Sequence, residues 1–83
     1  MVNYQHHVLP GGAYVFMLCQ CSEDNFSMSL WKASAKNPEW SILLEGYTEK
    51  EAQRLFLAGL QRSGQRIKSL RHHVLWGITH KTS

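Results

Sequence analysis

The strongest local signal in the chain is the start of a helix at Thr48. Thr48-Glu49-Lys50-Glu51 is a capping box: the Thr48 hydroxyl accepts a hydrogen bond from the Glu51 backbone N–H, and the Glu51 carboxylate reaches back. Apolar residues then recur at helical spacing as far as Gly64, a residue type that commonly ends helices. The sequence therefore predicts an amphipathic helix between Thr48 and Gly64.

Three segments before this helix show the alternation that is typical of β-strands. Residues 13–21 carry large side chains on both alternating faces, which predicts a strand that is covered on both sides. Residues 26–32 alternate more regularly, and residues 40–45 form a third short strand. The polar residues 22–25 favour a turn, so the first two segments are predicted to form an antiparallel hairpin.

The segment after the helix also alternates. His72, Val74, Trp76 and Ile78 share one face of an extended chain, which predicts a further strand. Residues 2–9 are a candidate for an extra N-terminal strand. The predicted fold class is α+β: a small antiparallel sheet in the order β-β-β-α-β, with this possible extra strand, packed on one α-helix. A chain of 83 residues is expected to form a single domain, residues 1–83.

The tetrapeptide His-His-Val-Leu occurs twice, at residues 6–9 and 72–75. The two copies have different flanking residues, so they are not interpreted as a structural repeat. Adjacent residues of a strand point to opposite faces. We therefore interpret each pair as strand residues, with one imidazole half-buried and the other solvated. On this interpretation the two segments are candidates for neighbouring strands, which would bring four imidazoles together.

Zinc binding is a minor alternative for the same residues. His6, His7, His72 and His73 together with Cys19 and Cys21 are residue types that zinc prefers. The Cys-x-Cys spacing, however, has no second ligand pair at the distance typical of structural zinc sites. We interpret the cysteines as structural thiols and expect no metal site and no cofactor.

Residue patterns that support catalysis are missing from the sequence. Glu23 and Asp24 lie in a predicted turn, and Glu49 and Glu51 lie in the helix cap, so no carboxylate pair is placed for acid–base work. No glycine-rich phosphate loop precedes the helix, and no Gly-x-Ser-x-Gly motif is present. We therefore expect a protein that is not an enzyme.

Aromatic content favours a protein-binding role. Three Trp, three Tyr and three Phe are more than one small sheet-and-helix core hides, and one helix covers only one sheet face. Trp31, Trp40 and Tyr47 are the candidate protein-binding residues, since Trp and Tyr dominate binding hot spots. The sequence predicts a small interaction module, an inhibitor, adaptor or regulator of the kind that phages and mobile elements encode, binding a protein partner or a second copy of itself.

Nucleic-acid binding is the alternative function. Residues 1–45 hold two basic and four acidic residues, a net charge of −2, whereas residues 46–83 hold seven basic and two acidic residues, a net charge of +5. Such an asymmetry attracts anionic partners. Arg62, Arg66, Lys68 and Arg71 are the candidate nucleic-acid-binding residues, because basic side chains near an aromatic surface suit single-stranded DNA or RNA.

Membrane insertion and export are not indicated by the sequence. The longest uninterrupted apolar run covers only residues 13–19, whereas a membrane-spanning helix needs about 20 residues. The first residues do not combine a basic segment with an apolar stretch, as a signal peptide would. The expected location is the cytoplasm, without a membrane partner.

Overall fold

The computed structural model describes residues 4–80, in which four strands precede two helices. The strands form one antiparallel sheet in which neighbours follow chain order. The elements are β1 (Tyr4–Val8), β2 (Tyr14–Ser22), β3 (Asn25–Lys32), β4 (Trp40–Glu45), α1 (Glu49–Ser63) and α2 (Ile67–Thr79). The predicted α+β class is confirmed, and the extra N-terminal strand is present as β1. The part of that prediction that falls on residues 2 and 3 lies outside the described residues.

The predicted C-terminal strand is wrong, because this segment forms α2. Leu70 and Val74 lie one helical turn apart, and both are fully buried. Ile78, a further turn along, packs against the same core. Val74 packs against α1 at Gly59, which has no side chain and therefore lets Val74 approach closely. A helix turns Leu70, Val74 and Ile78 toward α1 and leaves His72 and Trp76 exposed, whereas a strand would turn all five to the same side.

The two copies of His-His-Val-Leu consequently have different structures. Residues 6–8 belong to β1, whereas residues 72–75 lie within α2. The prediction that the two segments are neighbouring strands is wrong, because β1 pairs only with β2 among the described strands. His7 instead meets Gln65 at the corner between the helices, with Nε2 and Oε1 2.8 Å apart.

The predicted start and end of α1 are confirmed by the hydrogen bonds at its termini. Thr48 Oγ1 accepts from the Glu51 backbone N–H at 3.1 Å, and the Thr48 N–H donates to Glu51 Oε1 at 2.9 Å. Gly64 follows α1 with a φ of 63°, a left-handed conformation that favours glycine. Sequence-local chemistry therefore sets both ends of this helix.

The hydrophobic core lies between the sheet and α1. Phe16 of β2 stacks on Phe56 of α1 with ring centroids 4.5 Å apart and an interplanar angle of 8°. α1 contacts β2 and β3, and α2 packs on α1. The Cα atoms extend over 34 × 29 × 16 Å, so the thinnest dimension holds one sheet and one layer of helices. Neither helix combines the length and apolar character that crossing a membrane requires.

Replacing Thr48 with alanine should lower the free energy of unfolding by about 1 kcal/mol, because a backbone N–H of the first helical turn loses its side-chain acceptor. Thr48→Ser keeps the hydroxyl and should remain within about 0.5 kcal/mol of the parent protein. Urea denaturation followed by circular dichroism measures both variants. An equal loss in the two would show that the hydroxyl is not responsible.

Gly59→Ala should destabilise the protein, although alanine normally favours a helix over glycine by about 1 kcal/mol. The added Cβ would lie 2.9 Å from Val74 Cγ2, and valine cannot turn away easily because its χ1 is stiff. We expect a loss of about 1–3 kcal/mol in urea denaturation. In a Val74→Ala background the clash is removed, so the same substitution should become neutral or stabilising. A loss of equal size in both backgrounds would contradict this contact.

Candidate protein interface

One face of the sheet is not covered by either helix. Phe16 and Leu18 of β2 are buried under α1. Side chains alternate along a strand, so Val15, Met17 and Cys19 point to the other side of the sheet. We call this other side the open face. Apart from Ser29, which is buried, its side chains remain partly or largely exposed within residues 4–80. The prediction that residues 13–21 are covered on both faces is therefore wrong for this face.

The strand register arranges the open face in three cross-strand rows. The first row joins Val8, Val15 and Trp31, and the central row joins His6, Met17, Ser29 and Ser41. The third row joins Tyr4, Cys19, Ser27 and Leu43. None of these side chains is a lysine, arginine, aspartate or glutamate. Acidic residues continue the β4 side of this face beyond the rows, Glu45 after the third row and Glu39 next to Trp31.

Three apolar side chains of the outer strands project strongly into solvent. Tyr4 is 65% exposed, Val8 is 54% exposed and Leu43 is 59% exposed. They flank the partly exposed side chains of β2 and Trp31 of β3. The serines of β3 and β4 and His6 lie between them, so the face combines exposed apolar side chains with small polar ones. Exposed apolar side chains grouped on one face are typical of contact sites.

Trp31 of the open face makes a hydrogen bond within its own strand. Its indole Nε1–H donates to Ser29 Oγ at 2.9 Å, and Ser29 is itself only 7% exposed. A tryptophan at an interface normally needs a partner for this N–H. Because the partner is already present, the indole ring can be covered by an apolar surface without leaving an unsatisfied donor.

Cys19 and Cys21 lie on the open face as free thiols. Burial raises the pKa of Cys19 above its ordinary value, and the neighbouring Cys21 raises that pKa further through its charge and a hydrogen bond. Cys21 donates weakly to Ser27 Oγ, with a sulfur–oxygen distance of 3.9 Å. At neutral pH Cys19 is therefore a protonated, weakly polar group that suits an apolar surface.

Only one of the three predicted protein-binding residues lies on the open face. Trp31 does, and its binding role stays a prediction. Trp40 faces the helices, where its ring lies 6.0 Å from that of Phe16 between centroids. Tyr47 is only 7% exposed and belongs to the core, so the expectation that it is an exposed anchor is wrong. The connection between β4 and α1 turns Tyr47 inward, which residue type alone does not reveal.

Leu43, Tyr4 and Val8 were not among the predicted binding residues. Leu43 alternates with Ile42 and Leu44, which pack toward the core, so the period of two in residues 40–45 is the signal that places it outside. Tyr4 and Val8 lie on a strand whose partner was unknown from the sequence. Their position on the open face follows only from the pairing with β2.

No zinc site is formed by the residues that suggested one. Within the described part of the chain, no three His, Cys, Asp or Glu side chains are close enough together to hold a metal ion. His72 and His73 lie on α2 with their rings 5.4 Å apart, while His7 contacts Gln65. The fold therefore places these histidines and cysteines in separate parts of the described structure.

The predicted nucleic-acid-binding residues surround the corner between α1 and α2. Arg66 is the N-cap residue of α2, and Lys68 and Arg71 are exposed on its first turns. Arg62 lies in the last turn of α1, with its guanidinium carbon 4.2 Å from the centre of the Trp76 ring. All four are therefore near this corner, but Arg62 already has an aromatic partner.

Trp76 also carries a second stacked group. The His80 imidazole lies 4.1 Å from the Trp76 ring, at an interplanar angle of 16°, and His80 Nδ1 lies 2.8 Å from the Trp76 carbonyl oxygen. A nucleic-acid base that stacked on this indole would have to displace Arg62 or His80. The aromatic surface beside the basic residues is thus occupied by the protein's own side chains.

Comparison with protein-family models, curated proteins and solved structures found no match. The functional argument therefore depends on the geometry of the open face and of the helix corner. Of these two surfaces, the open face has the larger continuous set of side chains without a partner layer among residues 4–80.

Iodoacetamide should modify Cys19 slowly at pH 8, because the thiolate is the reactive form and the Cys19 pKa is raised. Its rate should rise about tenfold per pH unit below that pKa. Cys21→Ser removes a neighbouring charge and a hydrogen bond that both raise the pKa, so the midpoint of the Cys19 rate profile should move to lower pH. Mass spectrometry of the modified peptide measures the profile. An unchanged midpoint would contradict coupling between the two thiols.

Proposed function

We propose that the protein is a non-catalytic binding module whose open face contacts another protein. The observation that carries this proposal is Trp31, whose indole N–H is already bonded to Ser29 within three rows that contain no lysine, arginine, aspartate or glutamate. Tryptophan is the residue type most enriched among binding hot spots. Here its polar atom is satisfied before any partner arrives, so binding does not leave the N–H buried and unpaired.

The absence of charged groups from the three rows of the open face supports the same proposal. Burying an ionised side chain without a partner is strongly unfavourable, and the centres of protein interfaces are poor in charge. Tyr4, Val8 and Leu43 are more than half exposed, so covering them removes substantial apolar surface from water. At about 25 cal/mol per Å² this burial favours association.

Exposed apolar residues on the helices are arranged differently. Leu57 of α1 and Leu75 of α2 are exposed, but charged or polar residues separate them. Arg54 and Gln61 lie within one turn of Leu57, and Arg71 lies within one turn of Leu75. Ile67 and Trp76 of α2 are exposed as well, and Trp76 contacts Arg62 and His80. The exposed apolar residues of the helices are therefore interspersed with basic and polar side chains.

The cytoplasm is the location included in this proposal. Cys19 and Cys21 are free, and Cys21 is exposed. Thiols of this kind persist in reducing compartments, whereas small exported domains commonly use their cysteines in disulfides. The scattered acids support the non-catalytic part of the proposal, since Glu49 and Glu51 belong to the first turn of α1 rather than to a paired site.

A photo-crosslinking amino acid placed at position 43 should form adducts with a protein partner in the cells that contain this chain. Position 57 is the matched control, because Leu57 is 57% exposed and Leu43 is 59% exposed, but on opposite sides of the molecule. We expect a discrete adduct from position 43 that is lost in a Trp31→Ser background. Equal adducts from both positions, or adducts only from position 57, would contradict the proposal.

Nucleic-acid binding at the helix corner is the second candidate function. Its supporting observation is that Arg66, Lys68 and Arg71 are exposed and that residues 52–80 contain no aspartate or glutamate. The proposal predicts that affinity for a single-stranded RNA falls steeply with salt. Lys68→Ala and Arg71→Ala should each weaken binding and make the salt dependence shallower, whereas Leu43→Asp should not. Affinity that is indifferent to salt and to these substitutions would exclude this function.

A further inference from the structure

We infer that Cys19 and Cys21 form a two-thiolate site for a soft monovalent metal ion, copper(I), at the end of the open face next to the β2–β3 turn. The two residues are separated by one position in β2, and both are free thiols. The inference goes beyond the proposed function and does not depend on it, because it concerns a metal ion rather than a protein partner.

The strand pairing brings both sulfur atoms to one position on the sheet. Ser27 of β3 is the cross-strand partner of Cys19, and Cys21 Sγ lies 3.9 Å from Ser27 Oγ. Cys21 lies where the pairing of β2 with β3 becomes irregular, between Gln20 and Ser22. The two thiols also form a hydrogen bond with each other. Cys19 and Cys21 are therefore neighbours in space, on the same side of the sheet as Ser27.

The spacing of the two cysteines suits a metal bridge better than a disulfide. Residues separated by one position on a strand have Cα atoms about 6.8 Å apart, which is the upper limit of the spacing found in disulfides. A metal held in line between two thiolates separates the sulfurs by roughly 4.6 Å, given about 2.3 Å for one metal–thiolate bond. Two thiols in hydrogen-bond contact need only a small movement to reach that separation.

The number of available ligands selects the metal. Zinc takes four ligands in structural sites. Within the described residues, no third His, Cys, Asp or Glu side chain forms a metal-binding group with these two thiols. Thiolates are soft ligands that favour copper(I), and this ion is stable with only two sulfur ligands in a linear arrangement. The spacing that argues against zinc therefore leaves copper(I) as the metal that two thiolates can hold.

Charge supports the same choice of metal. Burial raises the pKa of Cys19 above its ordinary value, and the charge of Cys21 raises that pKa further, so two thiolates at these positions repel each other. A cation between the sulfurs removes this repulsion. Binding exchanges two thiol protons for one copper(I) ion and leaves a single negative charge on the site. Neither sulfur nor copper changes its oxidation state.

The two thiols differ in their access to solvent. Cys21 is exposed, whereas Cys19 is half-buried. Tyr4 of β1 pairs with Cys19, and Met17 lies two residues before Cys19 on the same face of β2. An ion can therefore enter from the side of Cys21 and is partly removed from water beside Cys19.

Anaerobic titration of the full chain with copper(I) tests the site, with ascorbate to keep the metal reduced and a coloured copper(I) chelator as competitor. We expect one copper ion per chain, bound by a monomer. X-ray absorption spectra should show two sulfur neighbours and no nitrogen neighbour. Zinc(II) should bind about 100-fold more weakly or worse, because two of its four ligands would be missing.

Cys21→Ser should lower the copper(I) affinity about 100-fold or more, because loss of even a hydrogen-bond partner of a metal ligand costs about 10- to 100-fold. Position 21 is exposed, so circular dichroism should show a native fold. The matched control combines Cys21→Ser with Leu57→Cys, which restores two thiols per chain but places the second on α1. This control should bind copper(I) as weakly as Cys21→Ser alone.

Several results would overturn the site. One is a parent protein that binds copper(I) no better than Cys21→Ser does, and another is parent-like affinity in the control with its second thiol at position 57. Half a copper ion per chain, in a dimer bridged by the metal, would show that the two thiols of one chain do not act together. None of these results changes the adducts expected from position 43, so the metal site and the proposed function are tested separately.

Discussion

The packing of α1 across β2 and β3 is the contact on which the rest of the structure depends. The stacked rings of Phe16 and Phe56 lie at its centre, with both side chains fully buried. α2 is attached to the molecule mainly through α1, where Gly59 admits Val74. Because both helices lie in one layer, the opposite face of the sheet keeps its side chains partly exposed. The open face is thus a direct consequence of how the core is built.

The distribution of charge follows from the same arrangement. α1 begins beside the β2–β3 turn, which carries Glu23 and Asp24, and has Glu49 and Glu51 in its own first turn, where the helix dipole favours carboxylates. α1 has 15 residues, which at about 1.5 Å per residue give a helix about 22 Å long. It ends at the corner between α1 and α2, beside Arg62 and Arg66. The helix layer therefore runs from an acidic end to a basic end, whereas the three rows of the open face contain no lysine, arginine, aspartate or glutamate.

Prediction from the sequence succeeded where short-range chemistry controls the structure. The capping box at Thr48 and Glu51, the terminal Gly64 and the alternation of β2, β3 and β4 all act within a few residues, so each could be located from the sequence. The candidate binding residues were harder to predict, because Trp31, Trp40 and Tyr47 were all chosen by residue type. Trp31 lies on the open face, whereas Tyr47 belongs to the core and Trp40 packs against it under the helix layer.

The repeated His-His-Val-Leu shows what the sequence by itself determined and what only the tertiary structure decided. Local pattern determined that each copy contributes to a regular element, and it determined the sheet strands β2 to β4 and α1 around which the chain folds. Each copy has one buried aliphatic residue, Leu9 just after β1 and Val74 within α2. It did not determine the type of element, since the first copy is a strand and the second is a helix. The surface against which each copy packs made the difference. Residues 6–8 pair with the backbone of β2, whereas Val74 packs against Gly59 of α1, which has no side chain. Four residues carry too little free energy to outweigh such contacts, so tertiary packing selected the conformation.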